Sequence, residues 1–310
     1  MKSENISQDE KSKINKSKFD FDNLKSDYFL IRIFDIMKKN KTLEILKYNK
    51  KLQKRLNLNI NDYKKYSQIY SSIELELKTN EYIYGRFINI FDEEKQYYRI
   101  YFNNSKKEIS RNYLKYKEKV ETIKIIINYQ VKSFIELFLD CKCISSIYFK
   151  KFYRNNITDM NWMFCKCSSL EELNLSNFNT NNVENMYCML HKCSSLKKLN
   201  VSNFNFHNVI DMANMFFGCS LLKELNLNNF NTNNVIDMTS MFKNCKSLKE
   251  LNISNFNTIN VTDMVNMFFG CSLLKELNIS NYKNNNKADM NGMFDGCSDE
   301  LKKKIEEIYD

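Results

Sequence analysis

Apolar residues in the second half of the chain return to the same phase every 26 residues. Phe152, Phe178, Phe204, Phe230, Phe256 and Tyr282 form one column, and Val131, Ile157, Val183, Val209, Val235 and Val261 another. Met160, Met186, Met212, Met238, Met264 and Met290 form a third, with Met163, Met189, Met215, Met241, Met267 and Met293 beside it. Cys141, Cys167, Cys193, Cys219, Cys245, Cys271 and Cys297 form a fifth. A fixed period of this length marks a repeat architecture: one unit cannot bury its own apolar face, and stacking creates the core. Leu251 and Ile253 alternate with polar Glu250, Asn252 and Ser254, the period of a half-buried strand. Val261, Met264, Met267 and Phe268 then return at helical spacing, with Asp263 just ahead as an N-cap.

The expected fold is therefore an α/β solenoid over 131–297, a leucine-rich repeat array of 26-residue units with one short strand and one short helix each. Residues 131–156 read as a degenerate first coil, with Phe134 and Leu137 in the methionine columns. A capping helix over 298–310 starts at Ser298 and carries Leu301, Ile305 and Ile308 as one stripe. The N-terminal region reads as α+β. Residues 1–17 are a polar tail expected to be disordered. Residues 18–70 have helical periodicity, with Thr42 and Asn61 as N-caps. Residues 71–130 carry strand-like runs, IELELK, FINIF, YYRIYFN and ETIKIIINY, with a turn at Asn103-Asn104.

The recurring string S-N-F-N-T-x-N-V-x-D-M-x-x-M-F-x-x-C-x-S-L resembles the BspA-type leucine-rich repeat family, closely over 157–297 and more loosely over 131–156. The resemblance implies a curved surface used for binding, in a family whose members often act at the cell surface. The run LKSDYFLIRIFDIMKKNKTLEILKYNKKLQKRL is faintly similar to an F-box through Leu24, Ile33, Phe34, Leu43 and Leu46, although the usual Leu-Pro opening is Leu24-Lys25. That likeness implies a Skp-type adaptor as partner and a substrate receptor of a ubiquitin ligase as the function.

Composition narrows the chemistry. With 5 Gly and no Pro, Gly-rich phosphate loops are excluded, and the abundant Asn is expected to serve the turns because it tolerates the left-handed region. The first residues are polar and no run reaches the length of a membrane span, so the expected location is cytoplasmic, with a cell-surface adhesin as the alternative. Residues 1–156 hold 33 of the 47 Lys+Arg and 20 of the 37 Asp+Glu, an excess dispersed enough to expect a solvated surface, not a nucleic-acid site.

Neither histidine, His191 nor His207, sits in a catalytic motif, so no enzyme and no cofactor are expected; His191 reads as a surface position. The cysteine and methionine columns read as core, and the row Asp159, Asp211, Asp237, Asp263, Asp289 as helix N-caps. What remains is a monomeric protein-protein interaction module. Its candidate partner-binding residues are Glu172, Lys198, Glu224 and Glu250 in one row of the strand face and Asn174, Asn200, Asn226 and Asn252 in the next. Trp162, Phe206 and His207, which break the repeat, complete the set.

Overall fold

The three longest strands of the N-terminal β region alternate as their sequences do. β1 (Ile73–Thr79) buries Ile73, Leu75 and Leu77; β3 (Tyr98–Phe102) buries Tyr98, Ile100 and Phe102; β6 (Thr122–Ile127) buries Ile123, Ile125 and Ile127. Between them lie β2 (Gly85–Arg86), a 3-10 turn (Asp92–Tyr97), β4 (Glu108–Ile109) and β5 (Tyr113–Leu114). The computed structural model describes residues 71–128, 131–228, 230–279 and 288–309, with 25–28, 30, 33, 46 and 49–56 before them. The chain divides into two units, Met1–Tyr70 and Ser71–Asp310. In the first, α1 (Lys50–Arg55) is capped by Asn49, whose Oδ1 accepts from Leu52 N–H at 3.0 Å. The expected tail, the caps at Thr42 and Asn61 and most of the F-box-like run lie outside the described residues.

The second unit is built on a seven-stranded sheet of order β4-β3-β6-β1-β7-β8-β9. The first five strands pair antiparallel; β7 (Ile144–Lys151), β8 (Glu172–Asn174) and β9 (Lys198–Asn200) pair parallel at the repeat period. The N-terminal strands thus cover the outer edge of the first repeat, which would otherwise present unpaired backbone. β10 (Glu250–Asn252) and β11 (Glu276–Asn278) form a separate parallel pair. Residues 222–227 between the two sheets are in no strand. At the far end, α2 (Asp299–Tyr309) is capped by Ser298 and buries Leu301 and Ile305. The turn at Asn103-Asn104 is present, with φ of 48° and 59°. The run FINIF forms no strand, although Phe87 and Ile88 are fully buried.

The expected α/β solenoid with a helix in every unit is not what the chain forms. Among the described residues no α-helix lies between Ser71 and Ser298, and the architecture is mainly β. The methionine segments are paired turns. Met163, Cys165 and Cys167 N–H groups reach back three residues, to Met160, Trp162 and Phe164. The alternate N–H groups of Met160, Trp162, Phe164 and Lys166 donate along the stack to Asn185, Tyr187, Met189 and His191, at 2.7–3.1 Å. Two residues per unit have left-handed φ, four positions apart: Trp162 and Lys166, then Cys188 and Lys192, then Asn214 and Gly218. A left-handed residue every fourth position stops the helical bond to residue i−4 and turns the peptide groups toward the next unit. Apolar residues at i, i+3 and i+4 still fall on one face, so the spacing reads as a helix where none exists.

The columns themselves face inward. Met160, Met186, Met212, Met238 and Met264 are fully buried, and so are Cys141, Cys167, Cys193, Cys219, Cys245 and Cys271 of the cysteine column. Each thiol of this column from Cys167 to Cys297, that is at 167, 193, 219, 245, 271 and 297, donates to a carbonyl of the preceding unit, as Cys245 Sγ does to Phe216 O at 3.1 Å. Rings stack across units: Phe216 on Phe242 at 5.5 Å and Phe242 on Phe268 at 5.4 Å, nearly parallel. Asparagine does more than turn the chain. Asn182, Asn208, Asn234 and Asn260 each donate Nδ2–H to a main-chain carbonyl one unit back, at 2.6–2.7 Å.

Candidate functional site

Strand register sets the candidate face. Ser146, Glu172 and Lys198 lie side by side, as do Tyr148, Asn174 and Asn200, and Glu250 and Asn252 oppose Glu276 and Asn278. Alternation buries Leu173 and Leu251 beneath and leaves Asn174, Lys198, Asn200, Glu224, Asn226, Glu250 and Asn252 exposed, with Glu172 half-buried. Asn174, Asn200, Asn226 and Asn252 each accept from the N–H two residues on, at 3.0–3.1 Å, which ties their acceptor oxygens to the fold. The glutamates are less committed. Lys304 reaches Glu276 at 2.7 Å, and the Tyr148 hydroxyl donates to Glu172 at 3.4 Å. A shallow open depression of about 630 Å³ runs over Glu224, Asn226, Glu250, Asn252 and Glu276, beside the strandless stretch 222–227.

The residues that break the repeat go to different places. Phe206 is removed from the contact set: it is fully buried, in the column otherwise held by Arg154, Thr180, Thr232 and Thr258, and packs on Phe230 at 3.5 Å. The ring fills space where a threonine hydroxyl would bond across units, as Thr232 Oγ1 does to Asn257 O at 3.0 Å. His207 is exposed beside it in sequence. Trp162 is half-buried on the turn face, with its ring 6.1 Å from that of Tyr187 and both next to Cys188. Burial raises the Cys188 thiol pKa, and the neighbouring thiol raises that of the Tyr187 hydroxyl.

His191 is not a surface residue as expected. It is half-buried and stacked on Phe217 at 4.5 Å, and burial with Lys192 and Lys166 nearby lowers its pKa to about 4. The aspartate row caps turns, not helices: Asp159, Asp211, Asp237 and Asp263 each accept from the N–H two residues on, at 2.7–3.0 Å. All ten cysteines are free thiols, and burial pushes Cys143 and Cys219 up to about 12. Among the described residues no three His, Cys, Asp or Glu side chains converge as metal ligands, and no helix is long and apolar enough to cross a membrane.

Sequence reasoning missed a second exposed region outside the repeats. β2 and β5 pair through Gly85↔Leu114 and Arg86↔Tyr113, and these strands and the segments next to them carry Tyr82, Tyr84, Tyr113 and Tyr116 at the surface. The strings EYIYGR and YLKYK, each with two tyrosines and at least one basic residue, are the signal that could have found it.

A protein-family model described as "Mycoplasma protein of unknown function, DUF285" matches residues 132–250 and again 212–308, together more than half of the chain. No curated protein and no solved structure matches the chain.

Proposed function

This chain belongs to the DUF285 family, and we propose that it is a non-enzymatic module that binds a protein partner through the strand face of its repeats. The observation that carries the reading is the parallel register, which aligns Glu250 with Glu276 and Asn252 with Asn278 in polar rows over an open depression and aligns Asn174 with Asn200 in the same way. An open, ordered and chemically uniform surface suits an extended partner better than a small molecule, which needs a concave and mainly apolar pocket. The sequence likeness to BspA-type repeats supports the same reading.

The test is affinity capture from the source cells with the full chain and with Glu224→Lys/Glu250→Lys. The reading expects partners bound by the wild type and lost by the variant at unchanged thermal stability, since exposed substitutions usually shift stability by less than ~0.5 kcal/mol. Partners that bind the variant equally well would remove the strand face from the function.

A further inference from the structure

The surface around β2 and β5 has the aromatic and basic composition that interfaces favour. Tyr82, Tyr116, Phe91 and Tyr84 are 90%, 67%, 64% and 57% exposed. Water-facing aromatic rings gathered in one place mark a contact surface, because tyrosine and arginine dominate interface hot spots and tyrosine loses little side-chain freedom on binding. Tyr84 and Tyr116 meet edge to face at 5.3 Å, which holds the rings in place before a partner arrives. Beside them an open groove of about 700 Å³ runs between Tyr84, Arg86, Phe91, Asn112 and Ile135.

Charge selects the partner. Segments 81–87 and 111–119 carry Arg86, Arg111, Lys115, Lys117 and Lys119 against Glu81 and Glu118. Glu118 is already held by Arg111. Within the groove, Lys95 pairs with Asp92 at 2.6 Å and Lys142 with Asp140 at 3.0 Å, which leaves Arg86 and Glu136 as its charges without an ion pair among the described residues, so the net positive charge comes from the 111–119 side. We propose that this surface docks an acidic peptide segment of a partner protein, with an aromatic or aliphatic side chain in the groove and carboxylates on Arg86 and Lys115–Lys119. Two of the rings have a face already covered by a cation, which weighs against single-stranded nucleic acid, since base stacking needs free aromatic faces. Lys117 Nζ lies over the Tyr116 ring at 5.2 Å, and Arg111 lies over Tyr113 at 5.5 Å. This site is separate from the strand face and does not rest on the function proposed for it.

The experiment selects a displayed library of random peptides on the full wild-type chain, with Tyr84→Ser/Arg86→Glu as counter-selection. The expected result is a set of acidic peptides with one large apolar residue. Each should lose at least about tenfold in affinity on either single substitution, and none on Glu224→Lys/Glu250→Lys. Tyr84 and Arg86 are exposed, so unchanged thermal unfolding of the variants checks that the fold is intact. Selection of no peptide, of basic peptides, or of peptides indifferent to Tyr84 and Arg86 would overturn the proposal. So would tighter, Arg86-dependent binding of oligothymidylate or of phosphatidylserine vesicles run in parallel.

Discussion

Replacing Phe242 by leucine should destabilise the second unit by about 1–3 kcal/mol, a figure that comes from its two neighbours. Phe242 is fully buried, with Phe216 at 5.5 Å on one side and Phe268 at 5.4 Å on the other. Each such ring pair contributes ~0.5–1.5 kcal/mol beyond the area it buries, and leucine keeps most of that area. Alanine would also leave a cavity and should cost about 3–5 kcal/mol. The protein contains its own control: Leu190 holds this column one unit before Phe216 and interrupts the stack between Phe164 and Phe216. Leucine is therefore sterically acceptable here, and what is lost at 242 is the ring contact. Urea denaturation of wild type, Phe242→Leu, Phe216→Leu and the double variant closes a thermodynamic cycle. The expected coupling between 216 and 242 is ~0.5–1.5 kcal/mol, because the two rings share one contact. A Phe242→Leu cost within ~0.5 kcal/mol of zero, or strict additivity in the cycle, would refute the reasoning.

Met238→Asp should unfold the repeats or cost several kcal/mol, since Met238 is fully buried and an unpaired charge there is strongly disfavoured, while Asn252→Asp on the exposed face should stay within about 1 kcal/mol; midpoints of thermal unfolding decide. His191 has a folded pKa of about 4 against 6.5, so its contribution is complete above pH 6.5 and is lost as pH falls towards 4, where the unfolded chain takes up a proton that the folded one does not. Because the ring is only half-buried, the loss should be about 1–2 kcal/mol, and His191→Gln should flatten that part of the stability-pH curve. Gly270→Ala should cost more than Gly218→Ala: both have φ of +71°, but the new Cβ would lie 2.5 Å from Asn244 Oδ1 at 270 and 3.4 Å from Lys192 Cγ, its nearest neighbour, at 218, so equal unfolding midpoints would contradict the packing.

Which residues face inward was legible because the same column recurs unit after unit, as with Met212, Met238 and Met264. The backbone that delivers them was not. A left-handed φ announces itself where glycine holds the position, as at Gly218 and Gly270, but Trp162, Cys188 and Ser240 adopt it with no sequence mark. Phe206 was misread for a related reason. Its column is occupied by threonine, whose hydroxyls suggest solvent, whereas Thr180 and Thr232 are buried and spend those hydroxyls across units. The rows of Glu and Asn were placed on the strand face by alternation alone, because period two is insensitive to how the strands are connected. The tyrosines around Arg86 lie outside the repeats, where no column exists to compare them with, and only the fold brings Tyr84 against Tyr116.

The inter-unit bonds of the turn face carry a consequence for how such a chain can change its length. Met160 N–H reaches Asn185 O, Met186 N–H reaches Asp211 O, and Met212 N–H reaches Asp237 O, so each donor meets an acceptor at the same sequence offset. A deletion or duplication of one whole period hands every amide an equivalent acceptor and every ring an equivalent neighbour. A change of any other size carries the methionine columns out of the core. Unequal recombination between near-identical units is therefore structurally tolerated only in steps of 26 residues. A gene encoding this chain can lengthen its strand face by slippage while leaving both ends untouched: the β1 edge that closes the first unit and the Ser298-capped helix that closes the last.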